Sequence, residues 1–300
     1  MHSPTLGWRP SPGLRGEGFS TNSRGLRGSR EVAYAKAPGE RRIVVVGDSY
    51  TFANRYLYRS GGRRGFYRPV PDDEVYTSRL ERALSGVTVV NLGVPGYGTD
   101  QQLLYLREEG LRYDPDLVVA AVFVDDLLRA QLSFRDYAKP FFVMEDGRLV
   151  LGGVPVPEPS AMAGAEPPPA PLSYLLTLSG ATVREAVFRL APLGALPVDR
   201  LNEAIFDSMR DDVRRHGSRL LVVVIPTEDY DESPHRSERL LVEWGRRAGV
   251  PVLPLRDAFS AVPSDERGRL FSQHWTPLGH QVAAAAIHEA IRREGLLGVD

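Results

Sequence analysis

Five short apolar runs constrain the fold of this chain: Ile43 to Val46, Val87 to Asn91, Leu117 to Val124, Leu220 to Ile225 and Val252 to Leu255. Each is nearly continuous in apolar residues rather than alternating, which is the pattern of strands covered on both faces in a parallel sheet. The stretches between them read as helices. Asp72 and Asp73 stand where they can cap a helix running through Leu84, with Tyr76, Leu80 and Leu84 on one face. Thr99 can cap another reaching about Arg112, with Leu103, Leu104 and Leu106 apolar. Further helices are expected over Asp199 to His216, Ser237 to Ala248 and Pro277 to Arg293, the last opening with proline in its first turn. Strands alternating with helices predict an α/β protein with a doubly wound parallel sheet of about five strands.

Two segments interrupt that rhythm and give the expected organisation: an extended arm over 1–40 and one domain over 41–300, with an insertion over 129–198 after the third strand. The arm is rich in Gly, Pro, Ser and Arg with little periodicity, and either wraps the domain or stays loose. The insertion holds a hairpin (Phe141 to Met144, Asp146-Gly147, Leu149 to Val154), a proline-rich stretch from Pro155 to Pro171 and a leucine-rich piece over Leu172 to Leu190. Such an insertion forms a lid or substrate wall, or else a satellite packing unit.

Composition narrows the function. A net charge of -1 gives no basic field, so nucleic acid is not an expected partner, nor is an anionic membrane surface. The absence of cysteine removes disulfides, thiolate metal sites and a cysteine nucleophile together. His216, His235, His280 and His288 show no zinc-ligand spacing, so neither metal nor cofactor is expected. No apolar window approaches about eighteen residues, and Met1-His2-Ser3-Pro4 does not open a signal peptide. The chain as written therefore reads as soluble and cytoplasmic. Met1 nevertheless heads a segment that reads as mid-protein, and an upstream anchor would make the protein extracytoplasmic or membrane-attached.

Four motifs fall at strand ends or before the last helix. Gly47-Asp48-Ser49 follows the first strand and leads into a helix, which leaves the serine hydroxyl free beside amides able to hold negative charge. Asn91-Leu92-Gly93-Val94-Pro95-Gly96 follows the second strand, and its glycines either bring backbone amides close to a ligand or simply turn the chain. Asp125-Asp126 ends the third strand, as a solvated cap or as functional carboxylates. His274 stands just before Pro277-Leu278-Gly279-His280 and can serve as a base for Ser49, or as a loop residue at the helix entry. In open α/β sheets ligands bind outside the carboxyl ends of the strands, so the shared location weighs more than any single motif.

In this order, Gly47-Asp48-Ser49, Asn91 to Gly96, Asp125-Asp126, and His274 with Gly279-His280 resemble the four blocks of the SGNH (GDSL-type) hydrolase superfamily. The arm, through Leu6 to Gly13 and Thr21 to Gly28, resembles the leader preceding the first block in many bacterial members. The resemblance implies a flavodoxin-like three-layer α/β/α fold and ester hydrolysis or acyl transfer. It gives Ser49 as nucleophile, the amides of Ser49 and Gly96 as oxyanion donors, and His274 as general base. Two departures stand out. The family's third block supplies an Asn that donates to the oxyanion, whereas this chain has Asp125, and an ionised carboxylate cannot donate. The family also places an Asp two or three residues before the histidine, where this chain has Phe271 and Ser272. The third member then has to be a backbone carbonyl, Ser272, Asp126 or another acid from elsewhere in the fold.

Two classes of function remain. One is a serine esterase or acyltransferase using Ser49 and His274; the other is a non-catalytic binding or accessory domain that kept the fold, as the two departures suggest. Acetylated glycan, lipid ester and small-molecule ester all remain candidate substrates. Tyr56, Tyr58, Phe66 and Tyr67 can line a pocket or simply pack, and Arg55, Arg59, Arg63, Arg64 and Arg68 can attract an anion or form a solvated loop.

Overall fold

In the computed structural model, residues 1–53, 56–58, 66–135, 137–159, 191–230 and 233–298 are described. The leucine-rich piece over Leu172 to Leu190, most of the proline-rich stretch, and Arg55, Arg59, Arg63 and Arg64 lie outside them. The apolar runs form β1 (Arg41–Gly47), β2 (Val87–Gly93), β3 (Leu117–Phe123), β4 (Arg219–Ile225) and β5 (Val252–Pro254). All pair in parallel, in the order β5-β4-β3-β1-β2. Read from the other edge this is 2-1-3-4-5, the flavodoxin-like order, whose direction reverses between β1 and β3. The loops after those two strands leave in opposite directions and open a crevice there. Ser49 follows β1 and Asp125 follows β3, so both stand at its mouth.

Right-handed crossovers place helices on both sides of such a sheet. The helix Tyr76–Ala83 packs against Pro277–Arg293 in one layer, while Thr99–Glu108, Pro197–Arg215 and Arg236–Ala248 pack together in the other. The fold is a three-layer α/β/α sandwich, and β3 is buried along its whole length. The expected hairpin forms between Phe141–Glu145 and Arg148–Gly152, turning through Asp146 and Gly147 at φ 48 and 73. Tyr56–Tyr58 and Phe66–Arg68 pair as a second antiparallel ribbon.

The helix starts differ from the sequence expectation. Asp72 and Asp73 do not cap the second helix, which begins at Tyr76 after Val75 with no side-chain cap. Asp72 instead pairs with the buried Arg27 of the arm at 2.9 Å and accepts from the Ser20 amide at 3.3 Å. A buried guanidinium needs a counter-charge, and Arg27 takes Asp72 for it. Thr99 is the first residue of its helix rather than the cap, since Gly98 precedes it, and its hydroxyl meets Asn202 Oδ1 at 2.5 Å. That helix ends at Glu108, and the chain continues as a 3₁₀ turn over Gly110–Tyr113.

The arm packs onto the body instead of remaining loose. Leu6 and Leu26 are in the core, Gln101 Nε2 donates to the Leu6 carbonyl at 2.8 Å, and Trp8 Nε1 donates to Pro95 O at 2.9 Å. On the other side of the crevice, Gly93 lets β2 approach the short helix Ser49–Phe52. A Cβ there would lie 2.2 Å from the Phe52 nitrogen and 2.6 Å from the Thr51 carbonyl carbon, both backbone atoms that cannot step aside. Gly93→Ala is expected to lower unfolding free energy by at least ~1–3 kcal/mol in urea titrations, because it displaces that helix.

Candidate active site

The serine is positioned by its own helix. Asp48 caps the turn, its Oδ1 accepting the Tyr50 amide at 2.9 Å, and Ser49 opens the helix Ser49–Phe52. A first-turn amide has no acceptor within its helix, so the Ser49 N–H is open to an incoming oxygen. The loop after β2 is tied to the same point, with Val94 N donating to Gly47 O at 3.0 Å. Gly96 in that loop has φ 84, a conformation that glycine adopts without strain. Asn91, the first residue of this motif, braces the backbone, since Nδ2 donates to Thr51 O at 2.7 Å and Oδ1 accepts from Gly93 N at 2.9 Å.

His274 comes from the far end of the chain. It lies on a ribbon of Phe271–Ser272 paired with His274–Trp275, and Nε2 is 3.0 Å from Ser49 Oγ. The imidazole packs on Tyr50, with ring centroids 5.1 Å apart. Behind it Trp275 is buried and meets Tyr50, Tyr76, Phe259 and His280 edge-on. Burial lowers the His274 pKa below the ordinary imidazole value, with Asp48 and Glu228 opposing the shift and Arg129 adding to it. Neutral His274 is therefore the form present near neutrality, and it is the form that can take a proton.

The serine hydroxyl has a second acceptor, Asp48 Oδ2 at 3.3 Å. Asp48 is fully buried and its charge is met by Arg129, whose Nη1 lies 3.0 Å from the same oxygen. That Nη1 also lies 2.5 Å from Asp126 Oδ1 and 3.4 Å from Tyr97 O. One guanidinium faces two buried carboxylates and can neutralise only one. Burial, reinforced by the Asp48 charge, pushes the Asp126 carboxyl well above the usual carboxylate range despite the pull of Arg129.

The remaining residues singled out in the sequence separate here. Asp126 turns inward, meeting Gln102 Nε2 at 2.9 Å and the Phe123 amide at 3.1 Å, and makes no hydrogen bond to His274. Burial of the third strand's end directs it into the core, so it is not placed as an orienting acid for the histidine. Ser272 faces His274 across the ribbon through backbone pairing. Asp125 precedes the helix Asp126–Arg129 half-buried, near enough to Tyr50 and Arg129 to act on both electrostatically. His280 is fully buried and stacked on Tyr76, whose amide donates to its Nδ1 at 3.4 Å.

Three residues near the site went unnoticed in the sequence: Arg129, Glu228 and Trp8. Arg129 carried a signal, since it lies three residues after Asp126 on one helical turn. Glu228 carried none, because its partner is 45 residues away, and Trp8 lies within the leader-like stretch Leu6 to Gly13, which gives no sign of its partner 87 residues on. Among the described residues no group of three or more His, Asp or Glu is arranged to hold a metal, and no helix is long and apolar enough to cross a membrane.

A flavodoxin-like sheet with a serine after β1, a glycine loop after β2 and a histidine ahead of the last helix defines the SGNH class of α/β proteins. The chain belongs to the GDSL-like lipase/acylhydrolase family, which it matches over residues 45–282. It is 28% identical over 119 residues to a protein described as the probable alginate O-acetylase AlgJ of Pseudomonas putida, a match covering 36% of this chain and 31% of that relative's length. Among solved structures it is similar to a lipase/acylhydrolase from Enterococcus faecalis (18% identity, TM-score 0.47, 85% of this chain and 96% of the other). It is also similar to a catalytic mutant of Axe2, an acetylxylan esterase from Geobacillus stearothermophilus (15% identity, TM-score 0.46, 84% and 95%).

The buried His280 makes stability depend on acid. Burial is the largest cause holding its pKa at about 3, whereas an unfolded histidine titrates near ~6.5. Between these values the unfolded chain binds a proton that the folded chain refuses, so stability falls as pH drops below the unfolded value. His280→Gln removes this dependence. Its loss of unfolding free energy between about pH 7 and about pH 5, read by urea titration, is expected to be smaller than that of the parent by about 2 kcal/mol.

Proposed function

We propose that this protein is a serine esterase or O-acyl transferase in which Ser49 is the nucleophile and His274 the general base. Family membership supports carboxylic ester chemistry in general, and the 3.0 Å contact between His274 Nε2 and Ser49 Oγ carries the assignment of residues.

As Ser49 Oγ attacks the ester carbonyl, its proton passes to His274 Nε2, and the carbonyl oxygen takes the negative charge of the tetrahedral intermediate. That oxygen rests on the amides of Ser49 and Gly96. His274 then returns the proton to the leaving alcohol, and the acyl group stays on Ser49. Water, or the hydroxyl of an acceptor, is deprotonated by His274 in the second half and releases it. The similarity to a probable alginate O-acetylase supports an O-acetyl group on a glycan as the ester.

Asp125 bears on rate. In the slot where the family places an amide donor, a carboxylate supplies no hydrogen bond and its charge opposes the oxyanion. It also favours the second reading, a family member that retains the fold as a binding domain.

With p-nitrophenyl acetate, Ser49→Ala and His274→Ala are each expected to lower kcat/KM by at least ~1000-fold, and a fluorophosphonate probe should label the parent but not Ser49→Ala. Equal background rates and absent labelling in all three proteins would favour the binding domain. The acidic limb of the kcat/KM profile is expected below about pH 6.5, because His274 must be neutral to act and burial lowers its pKa. Asp125→Asn is expected to raise kcat by about 10-fold or more in the same assay. A sharp loss instead would assign Asp125 a separate role.

A further inference from the structure

A serine–histidine pair works only if the imidazole is held in one orientation and the cation it becomes is stabilised. Nε2 of His274 faces Ser49, so Nδ1 is directed elsewhere, and neither Phe271 nor Ser272 brings a carboxylate to it. The backbone supplies another handle. The ribbon that carries His274 pairs Phe271 with Trp275 and Ser272 with His274, which puts Gln273 at the apex with φ 66. A non-glycine residue in that conformation costs about 1 kcal/mol or more, so its surroundings must hold it there.

Glu228 does so. It lies three residues beyond the end of β4, and its Oε1 accepts the Gln273 amide at 2.8 Å. Three charged groups act on the imidazole: Asp48 and Arg129 on the nucleophile side, and Glu228. Asp48 and Arg129 are bonded to each other and largely cancel. Glu228 is exposed and has no ion-pair partner among the described residues, so its charge is screened by solvent but not cancelled by a neighbouring cation. It acts on Tyr50, the ring packed against His274, as well.

We infer that Glu228 is the acidic positioning residue of this site: it fixes the Gln273 apex, and with it the His274 imidazole, and its carboxylate stabilises the imidazolium formed when Ser49 attacks. The inference rests on the reading of Ser49 and His274 as the reacting pair. It replaces an acid adjacent in sequence with one delivered by a neighbouring strand end.

Two variants separate position from charge. Glu228→Gln keeps an oxygen acceptor for the Gln273 amide and loses the charge; Glu228→Ala loses both. NMR titration of the His274 imidazole measures the effect without turnover, and its pKa is expected to fall by about half a unit in Glu228→Gln. With p-nitrophenyl acetate, kcat is expected to fall ~3-fold in Glu228→Gln and ~10-fold or more in Glu228→Ala, with little change in KM. An unchanged His274 titration in Glu228→Gln together with parental kcat in Glu228→Ala would overturn the inference. Should the parent itself show no Ser49-dependent turnover, the esterase reading fails, and the His274 titration alone decides whether Glu228 acts on the imidazole.

Discussion

One guanidinium between two buried carboxylates holds the mouth of this sheet together. Arg129 reaches back from the helix after β3 to Asp48 at the end of β1, and to Asp126 on its own turn. Asp48 in turn caps the helix that presents Ser49. Removing the guanidinium would leave the buried Asp48 carboxylate without its counter-charge, a cost of several kcal/mol. The arrangement also sets the local field. With Asp126 inclined to keep its proton, Asp48 and Arg129 form a nearly neutral pair beneath Ser49, and negative charge developing there would meet little opposition from below. Half-buried Asp125 is the acid that remains beside it.

The sheet was legible because burial on both faces writes itself into sequence as unbroken runs of Val, Ile and Leu, and all five runs became strands within a few residues of their expected ends. The last helix was legible for a local reason, proline in its first turn, and its ends agree with the expectation at both Pro277 and Arg293. Caps were less legible. A capping side chain is read on the assumption that nothing else competes for it, and Arg27 claims Asp72 from a segment with no periodicity of its own. Thr99 was displaced in the same way, its hydroxyl taken by Asn202 from a helix about a hundred residues later.

The site divides along the same line. Ser49 and His274 are 225 positions apart, yet each carries a local mark, a strand-end turn or a loop before a proline-led helix, and the strand order brings them within 3.0 Å. The groups that brace them carry no such mark. Glu228 is an ordinary acid in a loop, and its contact with residue 273 exists only because two neighbouring strand-end loops fold over the same crevice. The carboxylate that the motif lacks in sequence is thus available in space, at the price of a strained apex.

The Trp8 indole has a consequence for where this molecule begins as a functional unit. The family match starts at residue 45, after the arm has ended. Yet Trp8 Nε1 grips Pro95 O, the carbonyl immediately before Gly96, and Tyr97 OH returns a hydrogen bond of 2.5 Å to Trp8 O. Leu6 sits in the core beside them. A protein trimmed at residue 45 would keep both members of its serine–histidine pair but lose Arg41 to Val44 from β1, and the loop bearing Gly96 would lose the wall it leans on. The boundary drawn by sequence similarity and the boundary of the candidate site are different lines, and some forty residues lie between them.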